Sequence, residues 1–186
     1  MHKFHPSILR AYDIRGIVGK TLDNEDAYNI GRAFAAFLVA ENKNKVVVGY
    51  DGRLSSPDLK EDLIRGLMDS GMNVLEIGLC PTPMLYFGVY HLEAEAGIMI
   101  TGSHNPPTYN GFKFLLKDRP FYGDDILKLG KIAALAEFVD ENGSVEHVHM
   151  MEEYVDYLAD DCKIETVSGL LDELDNFLES KANHLK

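Results

Sequence analysis

The chain has 186 residues, of which 46% are hydrophobic and 26% charged, and its formal net charge is −12. This length and composition are typical of a globular protein with one hydrophobic core, or of one domain with an appendage. The acidic balance, with no apolar run of transmembrane length, argues against nucleic acid and membrane as partners, because nucleic acids and anionic membranes are bound chiefly through basic side chains.

The predicted elements of the first 150 residues alternate between strands and helices, which is typical of an α/β protein. In chain order they are an extended segment around Ile8–Val18, a helix over Glu25–Glu41, a strand over Lys45–Tyr50, a helix from Ser56 to Gly71, a strand over Asn73–Gly78, a short helix over Pro83–His91, strands over Ala96–Ile100 and Gly111–Leu116, and a helix over Asp124–Phe138. Ser56 followed by Pro57 predicts a hydroxyl cap at the second helix. We therefore predict a three-layer α/β/α sandwich with a mixed four-stranded sheet.

The character of the sequence changes near residue 150. Met151–Asp161 and Thr166–Lys181 are both acidic and helical in period, and no strand follows either of them. The apolar stripe of the second helix is expected to pack on its own domain, with docking to a partner as the alternative. We therefore predict a domain over residues 1–150 and a C-terminal acidic helical tail over residues 151–186.

The cysteines and the N-terminal residues indicate the cellular compartment of the protein. Cys80 and Cys162 are far apart and lack the spacing of a metal site. The N-terminal residues lack the apolar stretch of a signal peptide. We expect a reduced, cytoplasmic protein in which both cysteines are structural.

The most informative segment is Thr101–Phe114 (TGSHNPPTYNGFKF), which begins where a predicted buried strand ends. Loops beyond the carboxyl ends of strands commonly hold ligands in α/β sheets. Pro106 and Pro107 restrict the loop, so the hydroxyl of Ser103 should be held in place. On residue types alone, an ordinary loop with turn hydrogen bonds is the simpler interpretation.

A serine hydrolase is the obvious alternative reading of this loop. The G-x-S-x-G pattern fails, however, because Thr101 and Asn105 occupy the glycine positions. His104 directly follows Ser103, so we expect its side chain to point away from the hydroxyl. The sequence therefore predicts no Ser-His general-base pair.

Three motifs together resemble one family. Thr101–Phe114 closely resembles the active-site loop of the α-D-phosphohexomutases, in particular the bacterial phosphomannomutase/phosphoglucomutase group. Arg10–Gly16 (RAYDIRG) resembles the opening motif of that family, and Val48–Arg53 (VGYDGR) resembles its G-x-D-x-R strand end. The resemblance covers about the first 150 residues. It implies an isomerase that interconverts hexose 1- and 6-phosphates by intramolecular phosphotransfer, with mannose and glucose phosphates as the expected substrates.

The resemblance also implies roles for the residues of the loop. Ser103 matches the catalytic serine that carries a phosphoryl group, gives it to the sugar phosphate and takes one back from a bisphosphate intermediate. Mg²⁺ is expected to contact the phosphate on Ser103, and a glucose 1,6-bisphosphate-type primer is expected to load it. His104 and Asn105 match loop residues around the phosphate, which makes His104 a catalytic and Asn105 a substrate-binding candidate.

The remaining candidates come from the strands and the N-terminal motif. Lys113 and Arg15 match active-site positions, and phosphoryl transfer needs positive charge around the transferred oxygens. Tyr12 matches a residue that helps form the substrate cleft. Without the resemblance, Arg15 and Lys113 would each be interpreted as surface charges. For Asp51 and Arg53, a purely structural pair that holds the loop is an equally good interpretation.

The sequence departs from the family in what it lacks. Members have four domains around one cleft, and their acidic metal loop, sugar-reading loop and terminal phosphate loop have no counterpart here. The pairs Asp124-Asp125 and Asp160-Asp161 lack the required spacing and glycines. We therefore expect weak Mg²⁺ binding and inefficient turnover by this chain alone. The alternatives are a non-catalytic truncated fragment, one half of a split mutase with a separate partner chain, or a plain phosphate- or nucleotide-binding module.

Overall fold

The structure, a computed structural model, describes residues 1–162. The chain divides into two units, Met1–His149 and Met150–Lys186. The second unit begins with a helix over Met151–Cys162, where a helix was predicted. The other tail helix, predicted over Thr166–Lys181, lies outside the described residues. Within the described part, no helix combines the length and the apolar character needed to cross a lipid bilayer.

The first unit is built around a single mixed sheet with helices packed against it. Its elements are β1 (Ile14–Ile17), α1 (Asn24–Val39), β2 (Lys45–Tyr50), α2 (Ser56–Met68), β3 (Asn73–Leu79), α3 (Thr82–His91), β4 (Ala96–Ile100), β5 (Tyr109–Leu116), α4 (Asp124–Leu135) and β6 (Ser144–His147). The strand order is β1-β5-β4-β2-β3-β6. Strands β2, β3, β4 and β6 pair in parallel, and β5 is antiparallel to both β1 and β4.

The sheet therefore has six strands, and the prediction of four was wrong. The four predicted strands form its centre, and β1 and β6 are added at the two edges. Neither edge strand has an apolar strand pattern: β1 reads IRGI, and all four residues of β6 (SVEH) are exposed. Both strands are defined by backbone pairing with a neighbour, which depends on tertiary context more than on residue type.

The helices cover both faces of the sheet. Val46 and Val48 of β2 point into the core cluster that contains the apolar faces of α1, α2 and α4. Helix α3 packs on the opposite face, where a Cβ atom on Gly97 of β4 would lie 2.8 Å from a methyl carbon of Val89. The unit is therefore a helix–sheet–helix sandwich.

The start of α2 differs from the prediction. The cap position is Ser55, which makes no side-chain capping hydrogen bond, and Ser56 is already helical. Ser56 Oγ instead donates to Asp51 Oδ1 at 2.7 Å. Pro57 fits the first turn because it needs no backbone acceptor there. The predicted cap was wrong because the carboxylate of Asp51, just after β2, accepts the hydrogen bond of the Ser56 hydroxyl.

Candidate active site

Two loops lie side by side at the carboxyl edge of the sheet, Asp51–Arg53 after β2 and Thr101–Thr108 after β4. Their strands are parallel neighbours, so the two strand ends coincide. The N–H of Asp51 donates to the carbonyl of Ile100 at 2.9 Å, which joins the loops at their base. This edge is where open α/β sheets usually bind ligands.

Ser103 lies in the second of these loops, in an exposed position. Its φ angle is 51°, in the left-handed region. A residue with a Cβ atom adopts such an angle only where its surroundings enforce it. The N–H of Ser103 donates to Oγ1 of buried Thr101 at 2.8 Å. The hydroxyl group is therefore attached to a backbone that is held in one conformation.

The side chain of His104 turns toward Ser103, and the expectation that it points away was wrong. His104 Nδ1 lies 3.2 Å from Ser103 Oγ. Adjacent side chains point to opposite sides of an extended chain, but Ser103 has a left-handed backbone. A neutral imidazole at this distance can accept the proton of the hydroxyl.

The carbonyl of Gly102, next to Ser103, accepts three hydrogen bonds. Arg15 Nη1 donates to it at 2.7 Å. Asn105 donates its backbone N–H at 3.1 Å and its Nδ2 at 3.2 Å. The structure thus brings two predicted site residues, Arg15 and Asn105, onto the backbone that carries the serine.

Arg15 is buried, with only 4% of its surface exposed, so it is not a surface charge. Its Nη2 pairs with the carboxylate of Asp13. Its Nε is buried and has no hydrogen-bond partner among the described residues. Buried charged donors without an acceptor are costly, and they are commonly completed by a water, an ion or a ligand.

A buried polar network connects the first loop to α2 and β5. Asn110 is fully buried, and its Nδ2 donates to Ser55 Oγ and Ser56 Oγ at 2.9 Å each. Its Oδ1 accepts the N–H of Gly111 at 2.9 Å. Ser56 in turn donates to Asp51. Asn110 was not among the predicted site residues, and the signal that could have pointed to it is its place in the loop motif.

Asp51 is the acceptor at the centre of these contacts. Its Oδ2 accepts the N–H of Gly102 at 3.1 Å and Nε of Arg53 at 3.3 Å. Burial raises the pKa of Asp51, but hydrogen bonds from the Ser56 and Thr101 side chains and from two backbone N–H groups outweigh it. The pKa of Asp51 therefore lies below its ordinary value, and the carboxylate is ionised at neutral pH.

Lys113 and Tyr12 lie in a separate groove of about 700 Å³ that runs along β5. Tyr12 is 77% exposed and stacks on Tyr122, with ring centroids 6.2 Å apart. The ammonium group of Lys113 makes no hydrogen bond or ion pair with any residue that the structure describes. Further tyrosines of α3 complete the wall, namely Tyr86 and Tyr90.

The predicted site residues therefore form two groups. Ser103, His104, Asn105 and Arg15 meet in and around the loop after β4, whereas none of the four lines the groove that holds Lys113 and Tyr12. Each group combines polar or cationic donors with exposed surface. A ligand that contacted both groups would extend from the loop after β4 to the groove along β5.

The described residues do not by themselves form a magnesium site. No group of three or more His, Cys, Asp or Glu side chains in residues 1–162 is placed to hold a metal ion. Mg²⁺ requires near-octahedral oxygen coordination, usually from carboxylates, phosphates and waters. Ser103 Oγ, the predicted contact through its phosphate, would supply only part of such a set.

Cys80 does not take part in the candidate chemistry. It is buried, and burial raises the pKa of its thiol to about 11. The thiol is therefore protonated at neutral pH and unreactive as a nucleophile. A structural role, as predicted, accounts for these properties, while the side chain of Cys162 lies outside the described residues.

Sequence comparison places this fold and site in a known family. The profile of the phosphoglucomutase/phosphomannomutase α/β/α domain I matches residues 6–139. This stretch contains every element from β1 to α4 and both loops at the carboxyl edge. The chain therefore belongs to the phosphoglucomutase/phosphomannomutase family, and the resemblance found in its sequence motifs is confirmed.

Individual relatives agree with the profile. The chain is 46% identical over 161 residues to a phosphomannomutase/phosphoglucomutase from Pseudomonas aeruginosa, covering 83% of this chain and 34% of that protein. It is 46% identical over 159 residues to a phosphoglucomutase from Neisseria gonorrhoeae. A solved family structure from Burkholderia thailandensis matches with a TM-score of 0.80 and 40% identity, covering 85% of this chain and 36% of that one. The chain spans about a third of the length of the curated relatives it matches.

Proposed function

We propose that this chain is the phosphoserine-bearing domain of a phosphohexomutase that interconverts hexose 1-phosphates and hexose 6-phosphates, with glucose and mannose phosphates as substrates. Ser103 is the proposed phosphoryl carrier. The observation that carries the proposal is the exposed Ser103 on a left-handed backbone, within a hydrogen-bonded loop at the carboxyl edge of the sheet. Family membership supports the reaction class.

The proposed reaction moves one phosphoryl group at a time. The phosphoryl group on Ser103 Oγ passes to the free hydroxyl of a hexose monophosphate: the P–Oγ bond breaks, a P–O bond to the sugar forms, and a proton replaces the phosphoryl group on Ser103 Oγ in balance with the proton that the sugar hydroxyl loses. The resulting bisphosphate returns its other phosphoryl group to Ser103 Oγ. The net reaction is an isomerisation, and its main requirements are placed oxygens and local positive charge.

The loop and its neighbours are suited to these requirements. His104 Nδ1 lies 3.2 Å from Ser103 Oγ and is placed to take the proton of this hydroxyl when the serine accepts a phosphoryl group. It can return the proton to Oγ when the phosphoryl group passes from the serine to the sugar. Arg15 supplies a buried positive charge beside the serine, where its Nη1 donates to the carbonyl of Gly102. Lys113 is proposed as a second cation, because no described residue pairs with its ammonium group.

Two further residues are proposed to bind substrate. Asn105 lies beside the serine, and one N–H of its side-chain amide donates to the loop backbone. Its side-chain Oδ1 is proposed to accept a hydrogen bond from a sugar hydroxyl. Tyr12 is exposed, lines the same groove as Lys113 and is proposed to contact the sugar. The acidity of the whole chain makes such local cations and donors necessary for an anionic substrate.

Mg²⁺ and a primer of the glucose 1,6-bisphosphate type complete the proposal. The ion would neutralise charge on the phosphate of Ser103. This phosphate and further ligands outside residues 1–162 would together bind the ion. Because the chain spans about a third of its relatives' length, we propose that the sugar-reading and remaining metal and phosphate sites reside on further protein. That protein would be either a continuation of this polypeptide or a separate chain.

The test is the intact mass of the purified chain before and after incubation with glucose 1,6-bisphosphate and Mg²⁺. We expect the wild type to gain one phosphoryl group and Ser103→Ala to gain none. Ser7→Ala is the matched control, because Ser7 is also exposed and also contacts a histidine, with Oγ 2.8 Å from His5 Nδ1. It should gain the phosphoryl group like the wild type.

Two other results would point to the alternatives. No gain in the wild type would mean that the isolated chain behaves as an inert fragment until further domains are supplied. Phosphate binding that is unchanged in Ser103→Ala, without any covalent gain in the wild type, would favour a plain phosphate-binding module. A gain that persists in Ser103→Ala would remove Ser103 from the proposed mechanism.

A further inference from the structure

The guanidinium group of Arg53 connects the two loops at the carboxyl edge through five hydrogen bonds. Its Nε donates to Asp51 Oδ2 at 3.3 Å. Its two terminal nitrogens donate to four main-chain carbonyls, three in the second loop and one at the start of β5: those of Ser103 (3.0 Å), Asn105 (2.7 Å), Pro106 (2.8 Å) and Tyr109 (3.0 Å). One side chain therefore holds most of the backbone that follows the proposed nucleophile.

These contacts use the whole hydrogen-bonding capacity of the side chain. An arginine has five N–H donors, and in Arg53 all five have an acceptor within the protein. No donor remains for a phosphate. Arg15 differs, since its Nε has no partner, and Lys113 makes no ion pair with described residues. Arg53 is thus a cation beside the site that is committed to the loop.

Packing and a second side chain hold the loop from the other side. A Cβ atom at Gly102 would lie 2.1 Å from Arg53 Cζ, so only glycine at this position permits the guanidinium to approach. The N–H of Gly102 donates to Asp51 Oδ2, the same oxygen that accepts Nε of Arg53. The backbone on both sides of Ser103 is therefore held by the Asp51–Arg53 pair.

From this geometry we infer that Arg53 is a positioning residue for Ser103, which acts through the loop backbone and not by contact with the phosphate. The left-handed backbone of Ser103 is unfavourable for a residue with a Cβ atom, and the bond from Arg53 to the carbonyl of Ser103 helps to maintain it. The inference rests on the proposed role of Ser103. It adds Arg53 to the residues of the proposed site, with the role of holding the loop backbone in place.

The test compares Arg53→Lys with the wild type. Lysine keeps the charge, but its single nitrogen cannot donate to four carbonyls and a carboxylate. Hydrogen exchange of the loop amides, measured without substrate, should accelerate by about tenfold or more, as expected for the loss of a charged hydrogen bond. The maximal rate of phosphoryl uptake from glucose 1,6-bisphosphate should fall by a similar factor, about tenfold. The half-saturating bisphosphate concentration should not change.

Two further variants keep the test decisive. Arg65→Lys is the matched control, because Arg65 lies exposed on α2 and pairs with Asp62 away from the loops. It should leave both the exchange and the uptake unchanged. Gly102→Ala displaces the guanidinium without altering its charge and should reproduce the effects of Arg53→Lys. It also replaces that variant if Arg53→Lys does not fold.

Several outcomes would overturn the inference. Wild-type loop exchange in Arg53→Lys would show that Arg53 does not hold the loop. A raised half-saturating concentration with an unchanged maximal rate would place Arg53 on the phosphate instead. If the wild type takes up no phosphoryl group, the proposed function of the isolated chain fails, whereas the exchange comparison still decides whether Arg53 holds the loop.

Discussion

The buried amide of Asn110 offers the sharpest test of how the site is stabilised. Asn110→Ala removes three hydrogen bonds, each of 2.9 Å, to the hydroxyls of Ser55 and Ser56 and to the N–H of Gly111. Leaving the buried N–H of Gly111 without an acceptor costs about 1–3 kcal/mol, and each of the other lost bonds costs about 1 kcal/mol. We expect a total loss of about 3–5 kcal/mol, a large share of the roughly 5–15 kcal/mol that stabilises a typical domain.

Urea denaturation followed by far-ultraviolet circular dichroism measures this loss. For a slope of about 2 kcal/mol/M, the midpoint of Asn110→Ala should fall by about 2 M relative to the wild type. Asn24→Ala is the matched control, because it also removes an asparagine amide, one that donates to Asp62 at 2.7 Å on the surface. Its effect should stay below about 0.5 kcal/mol. Equal effects of the two substitutions would refute the reasoning, since they would show that water replaces the buried hydrogen bonds.

Two further predictions concern helix packing and pH. Gly66→Ala should destabilise the first unit by about 1–3 kcal/mol and lower its melting temperature, because the added Cβ would lie 2.1 Å from the carbonyl oxygen of Tyr28 and force α1 and α2 apart; an unchanged melting temperature would contradict this close crossing. The lowered pKa of Asp51 means that its ionised form stabilises the protein above the unfolded value of 3.8, and that this contribution is lost as the pH falls through the lower folded value. The stability gap between the wild type and Asp51→Asn should therefore be larger at pH 7 than at pH values below about 3, when both are measured in urea. A gap that stays constant or widens on acidification would argue against an ionised Asp51 as the acceptor of these hydrogen bonds.

Much of the local structure follows from residue patterns. The four central strands are short apolar runs, such as Lys45–Tyr50, and such runs are buried wherever helices cover both faces of a sheet. Helix α1 has both an apolar face and a capping box formed by Asp23 and Asp26, so its start is specified locally. The loop with Ser103 is recognisable because its informative residues are contiguous in the chain.

The contacts that hold the site together join residues that are far apart in the sequence. Arg53 reaches carbonyls 50 to 56 residues away, and Asn110 reaches hydroxyls 54 and 55 residues away. Nothing in the spacing of these residues indicates their partners. Arg53 meets the loop after β4 because β2 and β4 are neighbours in the sheet and end at the same edge. Asn110 comes close to the same loops because β5, which begins at Tyr109, pairs with β4.

The sequence by itself determined the class of fold, the central strands and helices, and the segment that carries Ser103, because hydrophobic periodicity and a contiguous motif are properties of a single segment. Tertiary structure alone decided that the sheet has six strands, that Arg15 is buried, and that His104 turns toward Ser103. Each of these depends on backbone pairing, burial or a left-handed φ angle. Edge-strand pairing, burial and the loop conformation depend on how distant segments pack together, so they cannot be predicted from a local pattern of residues.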